Sequence, residues 1–254
     1  KLAKYDYIQF VDGDDFLAED FYLNINPWFK GHPDIVGFNL KAVSDYTSSS
    51  AVLTSREESY GNFENQIWSG DGYGALKLLF EEGIRYQPGT YIFSRDLFFT
   101  NDTFFPEDIE YGEDYATVYL LLANANKIFI TDVVGYMYVQ RSSSATHIPK
   151  SKYSYDLMET SKKIMIYVSE KTPTLINLAA KYTIPRLLTA YQIASVSGKK
   201  YINLTTTIKN QIFQIAKQGR VLTLHGLPKE NLQLLLLRVG LLAPVFRWKF
   251  KRRN

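Results

Sequence analysis

The order of apolar and polar positions changes character along the chain. Up to about residue 150, short β-branched and aromatic runs alternate with amphipathic stretches. Beyond it strand signals fade and helical spacing takes over. The first apolar run, Tyr7-Ile8-Gln9-Phe10-Val11, breaks at Gly13 among three carboxylates, Asp12, Asp14 and Asp15. It predicts a buried strand ending in an acidic turn, the position where open α/β sheets place their ligands. Residues 17–29 predict a short helix, with Glu19 and Asp20 in its first turn and Pro27 near its end. Residues 34–43 predict a strand, and residues 44–68 a polar surface excursion with a hairpin tip at Ser48-Ser49-Ser50. Residues 71–82 predict an amphipathic helix closed by Gly83; Tyr91-Ile92-Phe93 predict a strand, followed by a helical turn from Arg95.

A second acidic stretch follows, Glu107-Asp108-Ile109-Glu110-Tyr111-Gly112-Glu113-Asp114. Val118, Leu121, Leu122 and Ala125 recur behind it at helical spacing, so a helix begins close to Glu113 and Asp114. Capping and the helix dipole favour acids there, and capping alone would explain Asp114. Residues 128–139 predict one or two strands, with a bend marked by Asp132 and Gly135; a Ser-rich loop, 141–147, ends at Pro149. Helices are predicted over 155–171, 174–196, 202–218 and 228–240, and Pro185 should kink or split the second. The pattern divides the chain into a sheet-containing domain, 1–150, and a helical extension, 151–254.

The 254 residues, 46% of them hydrophobic, suffice for one large domain or a domain with such an extension. The absence of Cys excludes a disulfide framework and thiolate chemistry, and agrees with a reducing cytoplasm. A net charge of +3 gives no nucleic-acid bias to the chain as a whole. The chain opens at Lys1 in mid-pattern, so we expect it to be a fragment whose earlier strands lie elsewhere.

Three like charges in one turn make most sense around a cation. Oxygen ligands without His or Cys suit a hard ion, Mg²⁺ or Mn²⁺. A solvated helix-capping turn is the plain alternative. Haloacid dehalogenase-type phosphotransferases also carry Asp-x-Asp after an apolar strand, but want a small Thr or Val where this chain has Phe16.

With both acidic stretches placed, the chain resembles family 2 glycosyltransferases of the GT-A fold, of the bacterial surface-polysaccharide type. The resemblance rests on residues 7–15, then Tyr91-Ile92-Phe93-Ser94-Arg95, then Phe105-Pro106 leading to Gly112-Glu113-Asp114-Tyr115, then Tyr136-Met137-Tyr138, Arg141 and Ser144. It spans about residues 1–147 and leaves out the C-terminal helices. It implies the C-terminal part of a GT-A mixed sheet, with the N-terminal nucleotide-binding half absent, so that the chain alone should bind donor poorly and be inactive. It also implies an inverting, metal-dependent transfer of a sugar from a nucleotide-sugar donor to a glycan or lipid-linked acceptor. By resemblance, Asp14 is the direct ligand of Mn²⁺ or Mg²⁺. Asp12 supports the metal or touches the donor ribose, and Asp15 braces the turn on the donor side. Asp114 is the catalytic base and Glu113 orients it or binds acceptor. Arg141 and Ser144 close over the donor diphosphate. A non-catalytic glycan-binding or scaffolding protein on the same scaffold is the rival reading.

Tyr91, Tyr86 and Trp68 are candidates for stacking on acceptor sugars, with plain packing as the alternative for each. His32 reads as an exposed turn residue; His147, beside the Ser-rich loop, is either a metal or phosphate contact or a solvent-facing residue. Residues 232–246 are strongly apolar, and Arg247, Lys249, Lys251, Arg252 and Arg253 follow them. The run is too short and too interrupted to span a bilayer. It fits a helix lying on the inner membrane face, or one packed on the domain with a solvated tail.

Overall fold

The structure, a computed structural model, describes residues 2–43, 67–140, 151–224 and 227–251. Most of the predicted excursion and all of the loop holding Arg141, Ser144 and His147 lie outside the described residues. The chain forms two compact units, Lys1–Phe105 with Thr117–His147, and Pro106–Ala116 with Ile148–Asn254.

The first unit is built on a mixed sheet. Its strands run β1 (Tyr7–Gln9), β5 (Tyr91–Ser94), β3 (Ile35–Val43), β6 (Ile128–Val139) and β2 (Phe16–Leu17) across the sheet, and β4 (Trp68–Gly70) also pairs with β6. β3 and β6 are parallel, and the other pairs are antiparallel. β6 is one bent strand rather than two. Its start pairs with β4 and its later part with β2, and between them its register against β3 slips twice, around Asn39. The predicted bend falls in that interval. Gly135 is required there because a Cβ would lie 2.1 Å from the Phe21 ring.

The predicted helix over 17–29 loses its first turn and keeps the rest. Phe16 and Leu17 pair with Met137 and Tyr136, and Ala18 N–H donates to Gly135 O at 2.9 Å. The helix α1 is only Phe21–Ile25, continued by a 3₁₀ turn, Asn26–Phe29. Tertiary pairing with β6 outweighed the local preference of Leu17 and Ala18 alone. Strand β1 also differs from expectation: it is three residues long, half-buried, and at the edge of the described sheet. Phe10, just after it, turns into an aromatic cluster with Phe93, Phe98 and Phe105, centroids 5.1–6.3 Å apart.

Val36 and Phe38 alternate onto the α1 side of the sheet, where Phe21, Ile25, Ile92 and Tyr136 complete a buried cluster. The helix α2 (Gly72–Phe80) is capped by Asp71, which accepts from Gly74 N–H at 3.0 Å. Its stop differs from the predicted glycine. Glu82 takes the left-handed conformation, φ 56°, and Gly83 N–H reaches back to Leu78 O at 2.9 Å. The helix α3 is Asp96–Thr100 and α4 is Glu113–Asn124.

The second unit contains α5 (Ser151–Lys171), α6 (Ile176–Val196), α7 (Ile202–Gln218), α8 (Pro228–Arg238) and α9 (Leu242–Lys251). Pro185 sits inside α6 without ending it. A helix-interior proline costs about 3 kcal/mol. Burial of Ile184, Leu187 and Leu188 on the same helix returns roughly 1.5–3 kcal/mol each, which exceeds that cost.

Candidate active site

The acidic turn of the first unit is held from two sides. Asp15 N–H donates to Asp12 O at 3.1 Å, closing the turn. One oxygen of the Asp15 carboxylate accepts from Val139 N–H at 2.8 Å, tying the turn to the end of β6. Its other oxygen, Oδ2, is buried with no hydrogen-bond partner among the described residues. Asp12 N–H donates to the hydroxyl of buried Tyr136 at 3.1 Å. Tyr136 in turn leans on Gly89, where a Cβ would come within 2.6 Å of its ring. Asp12 and Asp14 remain exposed. Around Gly13 the fold leaves open space: a Cβ there meets nothing within 4 Å, and its backbone is not left-handed.

The charges in this turn act on one another. Partial burial raises the Asp12 carboxyl above its ordinary value, and Asp15 raises it further. A hydrogen bond with Tyr136 opposes the rise, and Asp14 adds to it. Burial first, and then the same carboxylates, raise Tyr138 above the ordinary tyrosine value, and burial raises Tyr136 well above it. Among the described residues, no three His, Cys, Asp or Glu side chains converge as a ready-made metal cage.

The second acidic stretch belongs to the helical unit. Gly112 takes φ 80°, a left-handed conformation, and Ala116 N–H returns to Gly112 O at 2.9 Å in the first turn of α4. Glu113 and Asp114 lie half-buried in that turn. The segment before them is clamped by α5. The Asp156 side chain is only 1% exposed, and its Oδ2 accepts from Glu110 N–H and Tyr111 N–H, both at 3.1 Å. Lys152 Nζ sits 3.1 Å from both Asp156 oxygens and donates to Asp108 O at 3.1 Å. Tyr115 adds ring contacts with Tyr182 and Arg186. Asp156 is a site-forming residue that the sequence reading missed. Its signal was present: an acid on the apolar face of a helix, between Tyr153 and Leu157, needs buried partners.

Tyr91 takes the packing alternative. It is 2% exposed, its ring packs on Phe93, and its hydroxyl donates to Arg85 O, so it offers no face to an acceptor. Trp68 is half-buried in β4, its ring against Gly70 and Gly74 at the start of α2. Tyr86 is half-buried, and His32 is exposed in a turn with φ 50°.

No family model matches the chain, and no curated protein matches it in sequence. Among solved structures it is similar to TarS of S. aureus, residues 1–349, at 15% identity and TM-score 0.62, over 100% of this chain and 68% of that one. The same S. aureus protein in complex with UDP-GlcNAc matches at 16% identity and TM-score 0.64, over 99% and 69% of the two chains. The shared feature is the fold: a mixed α/β sheet of the GT-A class with a helical extension, as the sequence predicted.

Proposed function

We propose that this chain carries the catalytic machinery of a nucleotide-sugar glycosyltransferase that transfers with inversion of configuration. The observation that carries the reading is the acidic turn after β1. Asp15 and Tyr136 fix its backbone from behind while Asp12 and Asp14 stay exposed in front. The fold adds support, because TarS is solved with UDP-GlcNAc bound.

In this reading Asp114 takes the proton from the acceptor hydroxyl as that oxygen bonds to the anomeric carbon. The bond from that carbon to the diphosphate breaks, and the nucleoside diphosphate leaves with the electron pair. The first turn of α4 favours the ionised form that a base needs. Glu113 orients the base or the acceptor. Arg141 and Ser144, outside the described residues, would offer donors to the leaving diphosphate.

Asp12 and Asp14 suit Mg²⁺ or Mn²⁺. Such ions are commonly held by one or two carboxylates and take their remaining oxygens from phosphate and water, so a three-residue cage is not needed. Partial burial raises the Asp12 carboxyl most, and the repulsion from Asp15 and Asp14 that adds to it is the kind a dication relieves. When bound, the ion supplies Lewis-acid stabilisation of charge on the diphosphate. The acceptor in this reading is a glycan or lipid-linked glycan of a surface polysaccharide.

Calorimetric titration of the full-length protein with nucleotide sugars, UDP-GlcNAc among them, tests the reading. Binding of at least one donor should need Mn²⁺ or Mg²⁺ and weaken at least tenfold in Asp14→Asn. Metal-independent binding, or none, would leave the non-catalytic reading in its place.

A further inference from the structure

The helix α8 is apolar on two opposite sides. Leu234 and Leu237 face inward, 6% and 1% exposed. Leu232, Leu235 and Val239 recur three and four residues apart, so they share the other side, and they are 57%, 56% and 59% exposed. Leu241, in the turn that follows, is also exposed, as is Trp248 on α9. An amphipathic helix in a water-exposed bundle normally turns polar residues outward. This one turns a leucine stripe outward, with Lys229 and Arg238 exposed on the same helix.

Charge along the chain is as uneven. Residues 148–254 carry 19 Lys or Arg against 4 Asp or Glu, whereas residues 1–147 carry 10 against 22. From residue 227 onward the count is 7 basic to 1 acidic. A net charge of +3 conceals this division.

We propose that α8 and the turn after it dock the protein onto an anionic lipid surface. The aliphatic stripe enters the boundary between headgroups and acyl chains, and the surrounding cations meet lipid phosphates. Both halves of the feature are needed to choose this occupant. A soluble polyanion would use the cations and leave the stripe in water. A second copy pairing through the same face would bring like charges together. None of the described helices is long and apolar enough to cross a membrane, so the contact lies in the interface. The structure also moves the contact away from the extreme tail. α9 packs on the helical unit through buried Leu242, and Arg247 Nε donates to Ser195 O at 2.9 Å. The proposal stands apart from the catalytic reading, because its test measures binding alone.

Vesicle flotation with phosphatidylcholine, with and without phosphatidylglycerol, decides it. The protein should float only with the anionic vesicles, and less so as salt rises. The exposed-site variants Leu235→Ser/Val239→Ser and Lys229→Gln/Arg238→Gln should each lower the bound fraction about tenfold. Circular-dichroism melting should stay at the parent value, which shows that they fold. Unchanged flotation of the serine variant would overturn the proposal. So would soluble polyphosphate that displaces the protein completely while the serine variant still floats. Concentration-dependent dimerisation through Leu235 and Val239, without flotation, would assign the stripe to a second copy instead.

Discussion

The two acidic segments are built alike but at different depths. In the turn at residues 12–15, Asp15 is half-buried and takes one backbone N–H, that of Val139, in the sheet unit. In the segment before α4, Asp156 is almost wholly buried and takes two, those of Glu110 and Tyr111, with Lys152 as counter-charge. In each, one aspartate fixes the backbone so that the remaining acids can be held at the surface. The shallow version leaves its carboxylates close enough to perturb one another. The deep version sets the approach to a helix N-terminus, which itself favours negative charge. The first suits an ion shared with a ligand, and the second suits a single ionised base.

The largest effect should come from the deeper clamp. Asp156→Ala strands two backbone donors and should cost about 3 kcal/mol of stability in urea unfolding. A loss under about 1 kcal/mol would show that the clamp does not hold the segment. Asp15→Ala strands a single donor and should cost about 1–2 kcal/mol by the same measurement. If its cost matched that of Asp156→Ala, the difference in depth would mean nothing.

Glycines sharpen the contrast. Gly112→Ala meets only ordinary contacts, the nearest at 3.7 Å, but must keep a left-handed backbone, at a cost of about 1 kcal/mol. Gly13→Ala has neither penalty and should leave the melting temperature unchanged. Loss of donor affinity in Gly13→Ala at unchanged stability would mark that open space as the ligand's path.

The smallest effect is a pH dependence. The Asp12 carboxyl is raised in the folded protein, so folding is favoured while it is protonated, and that contribution is lost as pH rises through its folded value. Asp12→Asn should match the parent in melting temperature below the ordinary aspartate range and exceed it slightly at neutral pH. The opposite order at neutral pH would mean that the ionised Asp12 makes a net favourable contact in the folded protein. Mn²⁺ with a nucleoside diphosphate should stabilise the parent and not the variant.

Much of the fold was legible because long periodic segments carry strong signals: α4, α6, α7 and β6 lie close to where spacing placed them. The start of the 17–29 helix misled because its partner, β6, lies more than a hundred residues away, and no local signal reports a pairing of Leu17 with Tyr136, whereas residues 21–29 are helical as predicted. Glu82 misled in a smaller way, since a left-handed helix stop is usually read from glycine. In the candidate site the acids themselves were plain, but the groups that hold them were not. The sequence places Tyr136 in the run Tyr136-Met137-Tyr138 and Asp156 on the apolar face of a helix, but not the backbone groups each one holds, which lie 45 to 124 residues away.

The central claim is that these acids serve sugar transfer. The most direct measurement is nucleoside diphosphate release by the full-length protein with Mn²⁺ and a panel of nucleotide sugars, with Asp114→Asn alongside. The account predicts release from one donor, dependent on the metal, falling at least a hundredfold in Asp114→Asn with donor affinity retained. Equal release by parent and variant, or none from any donor, would contradict it.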